Sequence, residues 1–304
     1  MGLFSKRKFE VPPSGCIKSP LDKRDVLMSE IYPLPIRIAS EMPPPFDLDI
    51  LNQNGYPHCV GYAAAGIKQE KELRERKRII FDGDWLYKKC KEIDGMPNIQ
   101  GTCLRTVLKV LQKQGAKPLG QPESEAIKYR IGGYAQVDDL SLEGLKKAFY
   151  VSGVLLLGFR GSNQGWQTAY IRPPKEGEST WGHATFEIGY KADFNIGQNS
   201  WGQNWGDNGK FYIPQNYMPF EAWAVLTDLP TEFLMPNGLE GWVAEDYLRK
   251  IFVKGDIVFP YTRLNIREIP AGNKIRTLNK GEKLLILGET QQKNNYLWQK
   301  VKIL

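Results

Sequence analysis

The sequence predicts an α+β protein: a helical half, then a strand half, then a small all-β unit. Three observations carry this. Segments of helical periodicity cluster between residues 59 and 150. Buried-strand and alternating runs fill 153–214. In the last third, short alternating runs are broken by Pro-Ala-Gly and Lys-Gly turns, the pattern of a small barrel. A chain of 304 residues has room for one large domain and one smaller one.

Residues 1–45 are rich in proline and charge, end in the run Pro43-Pro44-Pro45, and read as an extended arm. A helical pattern runs over 59–78 and opens on Cys59. Its second half, KQEKELRERKR at 68–78, mixes both signs of charge and reads as a solvated helix face. DWLYKKCKE at 84–92 is a second helix. TCLRTVLKVLQKQG at 102–115 is a third, with Leu104, Val107, Leu108 and Leu111 at helical spacing, Thr102 at its start and Gly115 at its end. A fourth begins at Ser141, a good N-cap, and runs to Tyr150. Strands are predicted over 153–159, 183–190, 194–200 and 209–214, and in the tail over 264–289 and 297–303. A cleft between a helical half and a sheet half is a natural place for a site.

Net charge is +7, and the excess is spread along the chain with no nucleic-acid motif to accompany it. Four cysteines (Cys16, Cys59, Cys90, Cys103) lie far apart without metal-ligand spacing, and His58 and His183 are the only histidines. That inventory points to a reducing compartment rather than a disulfide scaffold, and it implies no metal and no organic cofactor. The chain opens without an apolar signal region, and Lys6 stands where a myristoylation site needs Ser or Thr. No run is long enough to span a bilayer. The expected location is cytoplasmic at synthesis, with a virion or release by lysis as alternatives.

Cys59 begins a helical run, where the macrodipole favours a thiolate, and the turn formers Asn54, Gly55 and Pro57 precede it. Taken alone, a buried structural thiol is the commoner fate of such a lone cysteine. His183 opens a predicted strand after a Gly-rich loop, and Asn199 follows in NSWGQNWGDNG at 199–209, flanked by Trp201 and Trp205. A side-chain amide can orient an imidazole, and a neighbouring indole can shield that bond from water.

Cys, His and Asn in that order, with these local sequences, resemble the papain-like cysteine peptidases. QNGYPHCVGYAAA at 53–65 resembles the family's nucleophile stretch, GHATFEIGY at 182–190 its histidine stretch, and NSWGQNWGDNG its asparagine stretch. GTCLRTVLKVLQKQG at 101–115 resembles a helix of bacterial members, and the likeness spans roughly 43–225. The resemblance implies a two-lobe fold and amide hydrolysis through a thioester acyl-enzyme. It makes Cys59 the nucleophile, His183 its proton partner and Asn199 the orienter of His183. Gln53 with the Cys59 N–H would form the oxyanion hole, and Trp201 would cover the Asn–His bond. Gly101, Trp181 and Gly182 would line the substrate cleft.

The chain departs from the family at Val60, where an aromatic is usual, and at Tyr56, where secreted members have a bridged cysteine. His58 beside the nucleophile is unusual: an idle neighbour, or a group that perturbs the thiolate. Cys90 and Cys103 read as structural. Residues 1–42 are too short for the family's long helical propeptide and read either as a packing arm or as a short lid over the cleft.

The tail resembles a bacterial SH3-like domain through Leu264-Asn265-Ile266-Arg267, Pro270, the 277–281 turn and Trp298. The strand expected after Ile303 has its match earlier, GWVAEDYL at 241–248. The small domain is then circularly permuted, or truncated, or 241–248 is simply an aromatic linker strand. The expected domains are 1–42 (arm), 43–228 (peptidase) and 229–304 (SH3-like). Such tail domains often bind cell-wall peptides. The resemblance thus implies a peptidase of bacterial or bacteriophage type acting on protein or peptide. A cell-wall endopeptidase and a virion component using the fold as scaffold remain alternatives.

Overall fold

The computed structural model describes residues 15–31, 40–191, 193–214 and 216–226, and in the tail 240–244, 257–258, 264–267, 274–278, 284–293 and 296–303. The chain divides into two compact units, with the boundary after Asp228.

In the first unit, strand β1 (Cys16–Ile17) and the single turn α1 (Met28–Ile31) precede helix α2 (Cys59–Arg74). Helix α3 (Gly83–Ile93), the short strand β2 (Thr102–Cys103) and helix α4 (Leu104–Lys113) follow. Strand β3 (Gly133–Gln136) and helix α5 (Leu142–Ser152) lead into β4 (Leu155–Ser162), β5 (Thr180–Tyr190), β6 (Phe194–Gln198), β7 (Lys210–Pro214) and β8 (Glu221–Leu226). Strands β3 to β8 form one antiparallel sheet in the order β3-β8-β4-β5-β6-β7.

Helix α2 is the central element. Ala63, Ala64 and Ala65 are buried, and small residues let neighbours approach its backbone. A Cβ on Gly66 would sit 2.3 Å from the Phe186 ring of β5, and one on Gly61 2.2 Å from the Gly83 carbonyl oxygen at the start of α3. The sequence therefore places glycine where α2 meets its two main neighbours.

The charged half of α2 is a correction to the sequence reading. Lys68, Glu70, Lys71 and Glu72 are buried rather than solvated. Each has a partner: Lys68 Nζ lies 3.1 Å from Glu72 and 3.2 Å from the Arg130 carbonyl, Lys71 Nζ donates to the Ser152 carbonyl at 2.9 Å, and Arg74 pairs with Glu70. Periodicity cannot distinguish a solvated charged face from one whose charges pair internally. The helix also stops at Arg74, and Arg76 adopts φ +64.

Helix α4 buries Leu104, Val107, Leu108 and Leu111, each such side chain contributing about 1.5–3 kcal/mol. It starts two residues later than its sequence pattern suggests, because Thr102 and Cys103 pair in parallel with Cys16 and Ile17 of the arm. Helix α5 is capped by Ser141, whose oxygen accepts from Gly144 N, and ends on Gly153 at φ +76.

The second unit holds strands β9 (Glu240–Ala244), β10 (Ile257–Val258), β11 (Leu264–Arg267), β12 (Lys274–Leu278), β13 (Leu284–Lys293) and β14 (Tyr296–Ile303). Their order is β10-β13-β14-β9-β11-β12. Strand β9 thus lies between β14 and β11, antiparallel to both. Residues 245–248 of the matched stretch, and Pro270, lie outside the described residues.

Candidate active site

Sheet register brings His183 and Asn199 together. His183 pairs with Phe159 across β4 and β5, and Asn199 follows β6, which is zipped to β5 at Phe186–Gln198. Asn199 Oδ1 accepts the backbone N–H of Ser200 at 2.8 Å, which settles it as oxygen. The 2.8 Å contact from the same oxygen to His183 Nε2 therefore places a proton on Nε2. In the neutral ring Nδ1 is then the free lone pair, the atom that can take a proton from a thiol.

The imidazole is buried among indoles. Its centroid lies 4.5 Å from that of Trp201, 5.6 Å from Trp166 and 5.9 Å from Trp181. Burial pushes the His183 pKa down to about 4, the bond to Asn199 pulling the other way. Trp166 escaped the sequence reading. It is fully buried, donates to the Tyr217 hydroxyl at 2.9 Å, and takes a bond from Trp205 Nε1 on its carbonyl. A tryptophan in the loop GSNQGWQ carries no signal that it will back a histidine.

Cys59 is the first residue of α2, and its Sγ accepts from the amide of Ala184, next to His183, at 3.4 Å. Burial pushes this thiol up to about 12, with the amides of Ala184, Val60, Cys59 and Gly15 opposing. The helix-terminus effect anticipated from sequence is present as the amides of Cys59 and Val60, but desolvation outweighs it.

The desolvation has an identifiable source. The arm crosses the thiol, so that a Cβ on Gly15 would lie 2.7 Å from Cys59 Sγ and 2.5 Å from the Pro57 carbonyl oxygen. Gly15 N donates to Gly182 O at 3.1 Å, and Gly15 O accepts from Thr102 N at 3.1 Å. A Cβ on Gly101, at φ +85, would strike Gly15 O at 2.7 Å. Gly101 and Gly182, two of the predicted cleft residues, thus both contact the arm. Further along, Arg105 on α4 pairs with Asp25 at 2.5 Å and donates to the Pro20 carbonyl.

Gln53 is buried beside Asn199. Its backbone N–H donates to Ser200 O, and its Oε1 accepts from the Ser200 hydroxyl at 2.8 Å. Its Nε2 donates to Tyr56 O at 2.5 Å, which leaves a second amide hydrogen for an incoming oxygen. Ser200 is a positioning partner that the sequence reading did not single out.

Trp181 stands at the margin, its Nε1 donating to Asn163 Oδ1 at 2.8 Å. His58 turns to Asp84, 2.7 Å from its Nδ1, and stacks on Tyr87 at 3.9 Å. Cys90 and Cys103 are buried, and all four cysteines are unbridged. Among the described residues no group of three or more His, Cys, Asp or Glu side chains could hold a metal, and no described helix is long and apolar enough to cross a membrane.

The family model described as papain family cysteine protease matches residues 108–222, a span that includes His183 and Asn199 and begins after Cys59. An uncharacterized peptidase C1-like protein of Acanthamoeba polyphaga mimivirus is 25% identical over 257 residues, covering 68% of this chain and 83% of that protein. Among solved structures, xylellain, a cysteine protease from Xylella fastidiosa, aligns with TM-score 0.62 and 21% identity over 73% of this chain and 99% of its own. Procathepsin B from Trypanosoma congolense aligns with TM-score 0.52 and 13% identity, covering 72% and 87%. The fold is therefore papain-like α+β, and the class it defines together with the family match is the cysteine-type peptidases. This chain is a cysteine-type peptidase of papain-like fold.

Proposed function

We propose that the chain hydrolyses peptide bonds with Cys59 as nucleophile and His183 as its proton partner, and that residues 15–19 hold it latent. The observation that carries this is the junction of Cys59 Sγ, Ala184 N and the His183–Asn199 pair, with Gly15 seated on the sulfur.

With the arm displaced, water reaches the pair and the desolvation that favours neutral thiol and neutral imidazole weakens. The proton of Cys59 passes to His183 Nδ1. The thiolate attacks the substrate carbonyl carbon, forming a C–S bond and an oxyanion. The second Nε2 hydrogen of Gln53 and the Cys59 N–H stabilise that oxyanion. The C–N bond breaks as His183 Nδ1–H protonates the leaving amine. Water then gives a proton to His183, its oxygen attacks the thioester, and cleavage of the C–S bond returns the carboxylic acid and Cys59. Asn199 holds the ring on its axis throughout, and Trp201 keeps water from that bond.

The second unit is proposed as an SH3-like targeting domain, with 241–244 supplying the strand that the bacterial SH3-like order places after the segment matching 297–303. The place of β9 between β14 and β11 supports a permuted arrangement over a linker strand. A cell-wall substrate depends on that domain, and digestion of purified peptidoglycan by the full chain tests it.

The experiment for the active site is labelling by a thiol-directed covalent inhibitor together with hydrolysis of a fluorogenic peptide. Both should occur in the full chain, faster in Gly15→Val, and both should vanish in Cys59→Ala. A chain that folds, is uncovered and neither labels nor cleaves would instead be a scaffold.

A further inference from the structure

Between α3 and β2 the chain closes a short loop around one ammonium group. Lys91, in the last turn of α3, directs its Nζ to the Asp94 carboxylate at 2.7 Å. The same Nζ reaches three backbone carbonyls, Met96 at 2.7 Å, Ile99 at 2.9 Å and Gly101 at 3.2 Å. An ammonium has three hydrogens, so one of them is shared between acceptors. Asp94 also takes the Met96 amide at 2.8 Å, and its side chain is fully buried. Cys90 and Cys103 flank the loop and are unbridged, so the tie is this cation and not a covalent bond.

The contact with Gly101 reaches the cleft. The Gly101 carbonyl and the Thr102 N–H belong to one peptide unit, which is planar and trans, so the two groups point in opposite directions. Lys91 holds the oxygen from one side. On the other side Thr102 N donates to Gly15 O at 3.1 Å, the carbonyl of the arm residue that rests on Cys59. A cation on the oxygen polarises the peptide and strengthens its N–H as a donor, and it also fixes the tilt of the plane. Tyr87 Oη accepts from Gly101 N at 3.1 Å, a bond to the preceding peptide unit.

We propose that Lys91 is a positioning residue for the substrate: it aims and strengthens the Thr102 N–H, which takes a backbone carbonyl of the peptide that replaces the arm. Arm and substrate then share one donor, and Lys91 tunes the hold on both. This rests on the reading of Cys59 as the nucleophile and deepens it. Lys91 acts through the peptide and not on the reacting atoms, so its effect belongs in KM.

The test uses the full chain with the arm displaced by Gly15→Val, to which Lys91→Met, Lys91→Gln or Lys91→Arg is added. Two neutral replacements are made so that a folding defect in one does not decide the outcome. Two substrates are compared: an N-acetyl dipeptide fluorogenic amide, which has carbonyls beyond the scissile one, and p-nitrophenyl acetate, whose only carbonyl is the one attacked. Lys91→Met and Lys91→Gln should raise KM for the dipeptide amide about five- to tenfold with kcat little changed, the worth of one hydrogen bond. For p-nitrophenyl acetate kcat/KM should stay within about twofold. Lys91→Arg keeps the charge and should recover about half of the loss or more. Iodoacetamide labelling of Cys59 should be unchanged on the Gly15→Val background, and faster than wild type when Lys91→Met or Lys91→Gln is made with the native arm. Equal losses on both substrates would make Lys91 a support of the fold in general and overturn the inference. No loss on either would mean that Tyr87 suffices to hold the loop, and overturns it as well. If folded Gly15→Val neither labels nor cleaves, the Cys59 reading falls and takes the inference with it.

Discussion

His183 donates its Nε2 hydrogen to Asn199 Oδ1 across 2.8 Å, and the same oxygen takes the amide hydrogen of Ser200. The second bond does for the asparagine what the first does for the histidine: it prevents a flip. Asn199→Ala removes the orienter and leaves the ring free to rotate. Loss of one partner from a buried hydrogen bond costs about 1–3 kcal/mol. The expected outcome is a fall in kcat of about 10- to 100-fold with KM little changed, measured on the uncovered Gly15→Val background.

The arm and the thiol form a second testable relationship. With Cys59 pushed up to about 12 and His183 down to about 4, both are neutral across the physiological range in the covered fold. The alkylation rate of the wild type should be low near neutral pH and climb steadily with pH. In Gly15→Val the inserted Cβ cannot coexist with Cys59 Sγ and the Pro57 carbonyl, so the arm must lift. Alkylation near neutral pH should then rise by at least about tenfold, and part of the gain should disappear in Gly15→Val/His183→Ala.

Burial of His183 also links stability to pH. Its folded pKa of about 4 lies below the ordinary 6.5, so between those values the unfolded chain binds a proton that the covered fold does not. Stability from this group is complete above about 6.5 and declines as pH falls towards 4. The Tm of the wild type should drop more steeply over that window than the Tm of His183→Gln, and thermal melts at matched ionic strength measure the difference.

Gln53 is held by Ser200 on one face and by its own loop on the other. Gln53→Ala deletes an oxyanion donor and should lower kcat by about 10²–10³-fold. Ser200→Ala keeps the donor and loosens its anchor, so a smaller loss is expected, partly recovered in Ser200→Thr.

The buried ion pairs of α2 should be sensitive to truncation. Lys68→Ala strips Glu72 of its 3.1 Å partner inside the fold. Breaking a buried pair costs about 3–5 kcal/mol. Calorimetry should show a Tm lower by at least about 6 °C, without loss of Cys59 labelling after refolding.

The residues of the candidate site could be named before the fold: Cys59, His183, Asn199 and Gln53 each lie in a short local stretch, NSWGQNWGDNG the most specific, and it is the order of three distant segments that joined them. Two other features did not show. The mixed charges at 68–78 have the composition of a solvated face, and burial follows from packing against 130 and 152, which are distant in the chain. Trp166 supports the site through its ring contact with His183 and Ser200 through its bonds to Gln53, and both contacts join segments far apart in the chain.

The sequence by itself determined the two-lobe α+β plan and the residues able to do thiol chemistry, because helix and strand periods and reactive side chains are local properties. Only the tertiary structure decided that Gly15 rests on the sulfur, that the Ser19 N–H donates to the Glu221 carboxylate, and that burial pushes the thiol up and the imidazole down. Those are consequences of desolvation. Desolvation depends on which distant segment covers a group, and no local pattern encodes that.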